Sequence, residues 1–269
     1  MGAGVTAPAA LDPARLNRLY DALLAEYGPQ HWWPIEGPPE TAALEVCVGA
    51  ILVQHARWES AAAALRRLRE AGALSIDALA TLPLDDLEAL VRGAGTYRAK
   101  ARTLRAFAEA VRSAPGGTIE GLLGGPAGYP RVEESRACLG SPTQPRGDAE
   151  TVRGRCLDVW GVGPETADAI VLYAAARPTF VVDAYARRLF ERLGAGLPDG
   201  YEQSRRMLLD AAGDDVARLG EWHALIVAHG KARCVARAPR CEGCPLLADC
   251  PGGRATLAAR CSPVAARGD

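Results

Sequence analysis

The apolar residues of this chain recur at three- and four-residue spacing almost from end to end, and nowhere alternate for more than a few positions. A half-buried strand needs an apolar residue at every second position, so the chain is left to bury its apolar surface by packing helix on helix. The nearest approach to a strand is "TFVVD", Thr179–Asp183, which is short. The expected class is therefore all-α. The spacing predicts helices over "LDPARLNRLYDALLAEY" up to Gly28, over an all-apolar stretch ending near Val53, and over an amphipathic stretch from about Trp58 to Ala71. The all-apolar helix should be buried on every side. Two short helices follow, with Ser75 and Pro83 near their starts, then the basic amphipathic "YRAKARTLRAFAEAVRSA".

From Gly116 to Gly147 glycine, proline and serine cluster, which reads as a long surface excursion. Helix is expected to resume at Asp148 as N-cap, run through "AETVRGRCLDVW", and begin again at Pro164 after a Gly161-Val-Gly163 turn. Three more helical patterns follow: "AYARRLFERLG" with Asp183 at its mouth, "YEQSRRMLLDAAG" and "LGEWHALIVAHGKARC". The tail beyond Gly252 shows no clear pattern and is expected to be irregular.

No apolar run reaches the length of a membrane span, and the N-terminus lacks the basic and apolar regions of a signal peptide. A cytoplasmic protein with no membrane partner is expected. The net charge of −1 speaks against a basic tail but leaves room for a local basic face. Lys100 and Lys231 are the only lysines, so few amines exist for covalent chemistry. Of the eight cysteines, Cys47 and Cys156 sit in apolar helical text as core thiols. In a reducing compartment the close group Cys234, Cys241, Cys244 and Cys250 reads as a metal site rather than a disulfide framework. The spacing C-x6-C-x2-C-x5-C lets four thiolates wrap one iron–sulfur cluster or one zinc ion, and Lys231, Arg233, Arg237 and Arg240 beside it offer cations to phosphate.

The Gly-Val-Gly turn between two helices is a helix–hairpin–helix pattern. Glycines at 161 and 163 permit positive φ and close approach of another chain. Pro164 suits the first helical turn. Amides at such a turn and helix N-terminus form an anion site, and Gly161, Gly163 and Thr166 are the candidate contacts to a nucleic-acid phosphate.

"GVGPETADAIVLYAAARPTFVVDAYARRL" resembles the hairpin and following helices of the endonuclease III superfamily of DNA glycosylases, and the four-cysteine spacing resembles that superfamily's [4Fe–4S] loop. The likeness runs from about Trp32 to Cys250. It implies two helical domains flanking a DNA-binding cleft: a six-helix barrel over 38–177, with 116–147 as an insertion, and a cluster domain made of 1–37 and 178–269. It implies a monomer on double-stranded DNA with a damaged base flipped out. It matches Asp183 to the family's essential aspartate, which stabilises developing oxocarbenium charge or orients water. Gln54 matches the glutamine that fills the gap left by the flipped base.

One departure is specific. Where the strand-cleaving members carry a Schiff-base lysine after the hairpin, this chain has Glu165, which cannot form one. "HWWP", Trp58 and "ETADAI…VVDAY" look like the 3-methyladenine glycosylase branch, with Trp32, Trp33 and Trp58 as an aromatic box for a cationic alkylated purine. The expectation is a glycosylase without strand cleavage. The alternatives are an oxidised-pyrimidine glycosylase and lyase, or a damaged-DNA binder without catalysis. His55 and His223 read as helix residues with no assigned role.

Overall fold

A computed structural model describes residues 11–125 and 146–261. Among them there is no β-strand. The chain divides into two compact units. One comprises Met1–Trp32, Phe180–Gly213 and Arg218–Asp269, and the other Trp33–Thr179 with Asp214–Ala217. No described helix is long and apolar enough to cross a membrane.

The second unit is built around α2 (Ala42–Leu52), whose residues from Ala43 to Leu52 are all buried. It packs against α3 (Trp58–Glu70), α6 (Tyr97–Ser113) and α9 (Pro164–Tyr173), while α4 (Ile76–Thr81) and α5 (Leu84–Val91) lie on α6. Ser75 caps α4 by accepting from the Ala78 amide. The charged exception inside α2 is Glu45. Its carboxylate accepts from the Glu36 and Gly37 amides at 2.9 Å each and from Arg69 at 2.7 Å, so the buried charge is fully engaged.

The Gly/Pro-rich text from 116 is not wholly an excursion. Pro115–Gly117 form a 3-10 turn, and α7 (Ile119–Leu123) follows, capped by Thr118. Leu122 and Leu123 bury themselves against α6 and α8 (Arg146–Leu157), so two adjacent leucines outweigh the glycines around them. Residues 126–145 of the expected excursion lie outside the described residues. Helix resumes at Arg146, not at Asp148; Asp148 sits inside the first turn, and its carboxylate accepts from Arg177 Nε at 2.6 Å.

The first unit holds α1 (Pro13–Tyr27), α10 (Ala184–Arg192), α11 (Tyr201–Ala212), most of α12 (Val216–Ala232) and α13 (Pro251–Cys261). Asp12 caps α1 through the Arg15 amide at 2.7 Å, and Gly28 ends it. Trp222 is the centre of this core, with the Tyr20 ring edge-on at 5.5 Å and Phe190 at 6.2 Å. The tail beyond Gly252, expected to be irregular, is helical through Cys261 as α13, and residues 262–269 lie outside the described residues. Gly252 is there for proximity, since a Cβ would stand 2.9 Å from the Arg192 carbonyl oxygen at the end of α10.

Candidate nucleic-acid and metal sites

The hairpin joins α8 to α9. Val159 and Val162 are buried, and the Val162 amide donates to the Val159 carbonyl at 3.0 Å, which closes the turn. Behind it, Arg153 of α8 meets Asp168 of α9 at 2.9 Å, and Thr179 donates to the same carboxylate oxygen at 2.7 Å. This buried pair sets how the two helices meet. The sequence permits a positive φ at both glycines, and only one of them uses it. Gly161 has φ +82, and a Cβ there would lie 2.1 Å from Thr103 Oγ1. Gly163 is extended at φ −92, ψ 174, and a Cβ would meet nothing within 4 Å. Gly161 is thus demanded by the protein, whereas the space beside Gly163 is open.

Gln54 lies against this turn. Its Nε2 donates to the Gly161 carbonyl at 3.0 Å and to Thr166 Oγ1 at 2.9 Å. Thr166 is buried, and its hydroxyl oxygen is the acceptor for Gln54. Glu165, the second residue of α9, is exposed, where the positive end of the helix favours an acid. Trp160, just before the turn, is 57% exposed.

Trp33 is 4% exposed, with Trp58 edge-on at 5.1 Å and Tyr173 at 5.5 Å. Trp58, at the start of α3, is half-buried. Trp32 belongs to the other unit. Lys100 is 1% exposed; its ammonium donates to the Leu52 carbonyl at 2.7 Å and to the Ala94 carbonyl, closing the end of α2. Burial pushes its pKa down to about 8.

Asp183 caps α10. Oδ1 accepts from the Ala186 amide at 2.7 Å, and Oδ2 stands 3.6 Å from His223 Nε2 on α12. The carboxylate is fixed, 9% exposed, and has one oxygen not committed to the backbone. His223 had been given no role from sequence. No local signal pairs positions so far apart; only the packing of α10 on α12 brings them together.

Cys234, Cys241, Cys244 and Cys250 line one small cavity. Arg192 Nη1 donates to Cys234 Sγ at 3.2 Å and to the Val235 carbonyl at 2.9 Å, and the Gly253 amide donates to Cys250 Sγ at 3.2 Å. These donors suit anionic thiolate sulfurs. His229 completes the wall; Nδ1 is 3.0 Å from the Tyr27 hydroxyl and Nε2 is 3.8 Å from Cys244 Sγ. Burial, helped by Arg233, pushes the His229 pKa down to about 4, so the ring is neutral at pH 7. Among the described residues no three His, Cys, Asp or Glu side chains stand ready around a single ion. Of the cations expected for phosphate, Arg233 is paired with Glu26 at 3.0 Å and Arg240 donates to the Ala232 carbonyl, while Arg237 and Lys231 are exposed.

The chain has recognisable relatives. The family described as HhH-GPD superfamily base excision DNA repair protein matches residues 48–212. MJ1434 of Methanocaldococcus jannaschii, provisionally named a DNA repair glycosylase, is 33% identical over 236 residues, covering 87% of this chain and 95% of that protein. Endonuclease III of Bacillus subtilis is 25% identical over 177 residues, 64% of this chain and 65% of the relative. A trapped endonuclease III–DNA covalent intermediate superimposes with a TM-score of 0.70 at 20% identity, covering 91% of this chain and 98% of the other. The 3-methyladenine DNA glycosylase of H. pylori, bound to 1,N6-ethenoadenine, gives 0.61 at 21% identity over 82% and 97%. At these identities the two structures speak for the fold.

Proposed function

The chain belongs to the HhH-GPD superfamily of base excision DNA repair proteins, and from that premise we propose that it is a DNA glycosylase that removes alkylated bases by hydrolysing the N-glycosidic bond without cutting the strand. The observation that carries the reading is the Asp183 carboxylate, held by the Ala186 amide with its second oxygen uncommitted to the backbone. As the base departs, positive charge develops at the sugar. A fixed carboxylate stabilises it without reorganising and orients the attacking water. An alkylated purine carries positive charge and leaves easily, so no strong general acid is required. Trp58, backed edge-on by Trp33, is the aromatic side chain proposed to meet such a base.

The placement of the lysines supports a reading without strand cleavage. The position after the hairpin is Glu165, which forms no Schiff base. Lys100 is spent on two carbonyls in the core. Lys231 lies eight residues beyond His223 on α12, about 12 Å along the helix from the histidine that faces Asp183.

The four cysteines fit a [4Fe–4S] cluster: four thiols and their hydrogen-bond donors around one cavity. Cys234, Cys241, Cys244 and Cys250 would hold it, and the bound cluster supplies a rigid cross-link between α12 and α13. Visible absorbance near ~400 nm with iron by elemental analysis supports the cluster; a colourless protein containing zinc supports the alternative.

The test of function is a panel of damaged duplexes. We expect release of 3-methyladenine and no release of thymine glycol. Asp183→Asn should lower release at least about 100-fold while leaving DNA binding intact. Borohydride should trap no covalent complex; efficient trapping would replace this reading with that of a lyase. Unchanged activity in Asp183→Asn would leave a binder without this chemistry.

A further inference from the structure

Among the described residues Trp160 is the one large apolar side chain left exposed. Its neighbours in the turn are not. Val159 and Val162 point into the protein at 4% and 7% exposure, so the turn turns two apolar residues in and this one out. The mount is rigid. The Val162 amide closes the turn onto the Val159 carbonyl, the Gly161 carbonyl is held by Gln54, and Thr103 fills the space beside the Gly161 Cα. A flat apolar ring is therefore presented from a fixed backbone, one residue before a turn whose Gly163 side is open. A ligand that suits both features has an anionic group and a flat apolar face within a few ångströms of each other. A polynucleotide offers that pair at every nucleotide.

We propose that the Trp160 indole is a nucleic-acid contact, packing flat on the apolar face of a nucleotide beside the one whose phosphate meets the hairpin. That face is either the deoxyribose or an unpaired base; both present the same chemistry. The proposal rests on the hairpin being the DNA site. Such a contact adds affinity by desolvating the ring and stacking, and releases no counterions. It is distinct in kind from the phosphate contact next to it.

The test compares the full-length protein with Trp160→Ala and Trp160→Phe, by fluorescence anisotropy on a fully paired duplex and on one with an abasic-site analogue, across a salt series. Trp160→Ala should weaken binding by about 10- to 100-fold, and Trp160→Phe by no more than about threefold, since it keeps a flat face. The slope of log affinity against log salt should not change in either variant. Thermal melting should not change, because the side chain is mostly in solvent. An equal loss on both duplexes places the ring on the sugar; a loss confined to the abasic duplex places it on an unpaired base. Both outcomes uphold the contact. The proposal is overturned if Trp160→Ala binds like the wild type, if its salt slope falls by about one, which marks a damaged phosphate site, or if it changes the oligomeric state, which marks a protein partner. Failure of the wild type to bind either duplex would instead remove the DNA reading of the hairpin itself.

Discussion

Gly161 and Gly163 stand two residues apart in one turn and answer different demands. Gly161→Ala should cost at least about 1–2 kcal/mol for the left-handed backbone, with the Thr103 clash in addition, and denaturant melts will read it. Gly163→Ala should cost less than about 1 kcal/mol, because the backbone is extended and the space is open. Its effect should appear in DNA affinity, as a drop of about tenfold from one lost phosphate contact. If the two variants fall together in stability, the distinction fails. Lys100 is a second residue whose role is structural. Its folded pKa of about 8 lies below the ordinary lysine value of 10.5, so between these limits the unfolded chain binds the proton more tightly. Its contribution to stability therefore rises from pH 8 to pH 10.5 and is smallest below pH 8. Lys100→Met should cost about 1–3 kcal/mol by orphaning the Leu52 and Ala94 carbonyls, and melts in that pH window should show a gap from wild type that widens with pH.

At the scale of elements, periodicity located most helices, including the buried α2 and the caps Ser75 and Asp183. It missed α7 and α13. Both begin in glycine- and proline-rich text, where propensity points to loop; tertiary contact overrides it, through Leu122 and Leu123 in one case and close approach to α10 in the other. The hairpin was legible as a motif, but the device that aligns its helices was not. Arg153 and Asp168 lie on different helices, and nothing local marks them as partners. Asp168→Ala should leave Arg153 charged and buried, at a cost of about 3–5 kcal/mol. Urea denaturation would measure it, and a loss under about 1 kcal/mol would show that the pair does not hold the hairpin.

For the whole molecule, the stretch from Cys234 to Cys250 contains little regular structure beyond one 3-10 turn at Leu247–Asp249. Its four cysteines, Cys234, Cys241, Cys244 and Cys250, line one cavity between the end of α12 and the start of α13. With the proposed cluster bound there, removing its metal should lower the melting temperature and speed trypsin cleavage at the exposed Arg237 and Arg240, read by mass spectrometry. Unchanged cleavage would mean that the metal does not support this segment. By itself the sequence determined the helical class, the hairpin, the cysteine group and Asp183 as the cap of a helix, because each is a local pattern of spacing or residue type. The tertiary structure alone decided which glycine serves the protein and which faces outward. It also brought His223 to Asp183 and Gln54 to the hairpin, sank Trp33 and Lys100 into the core, and left Trp160 in solvent. Those outcomes depend on which helix faces meet, and a face acquires its partner only when distant segments pack.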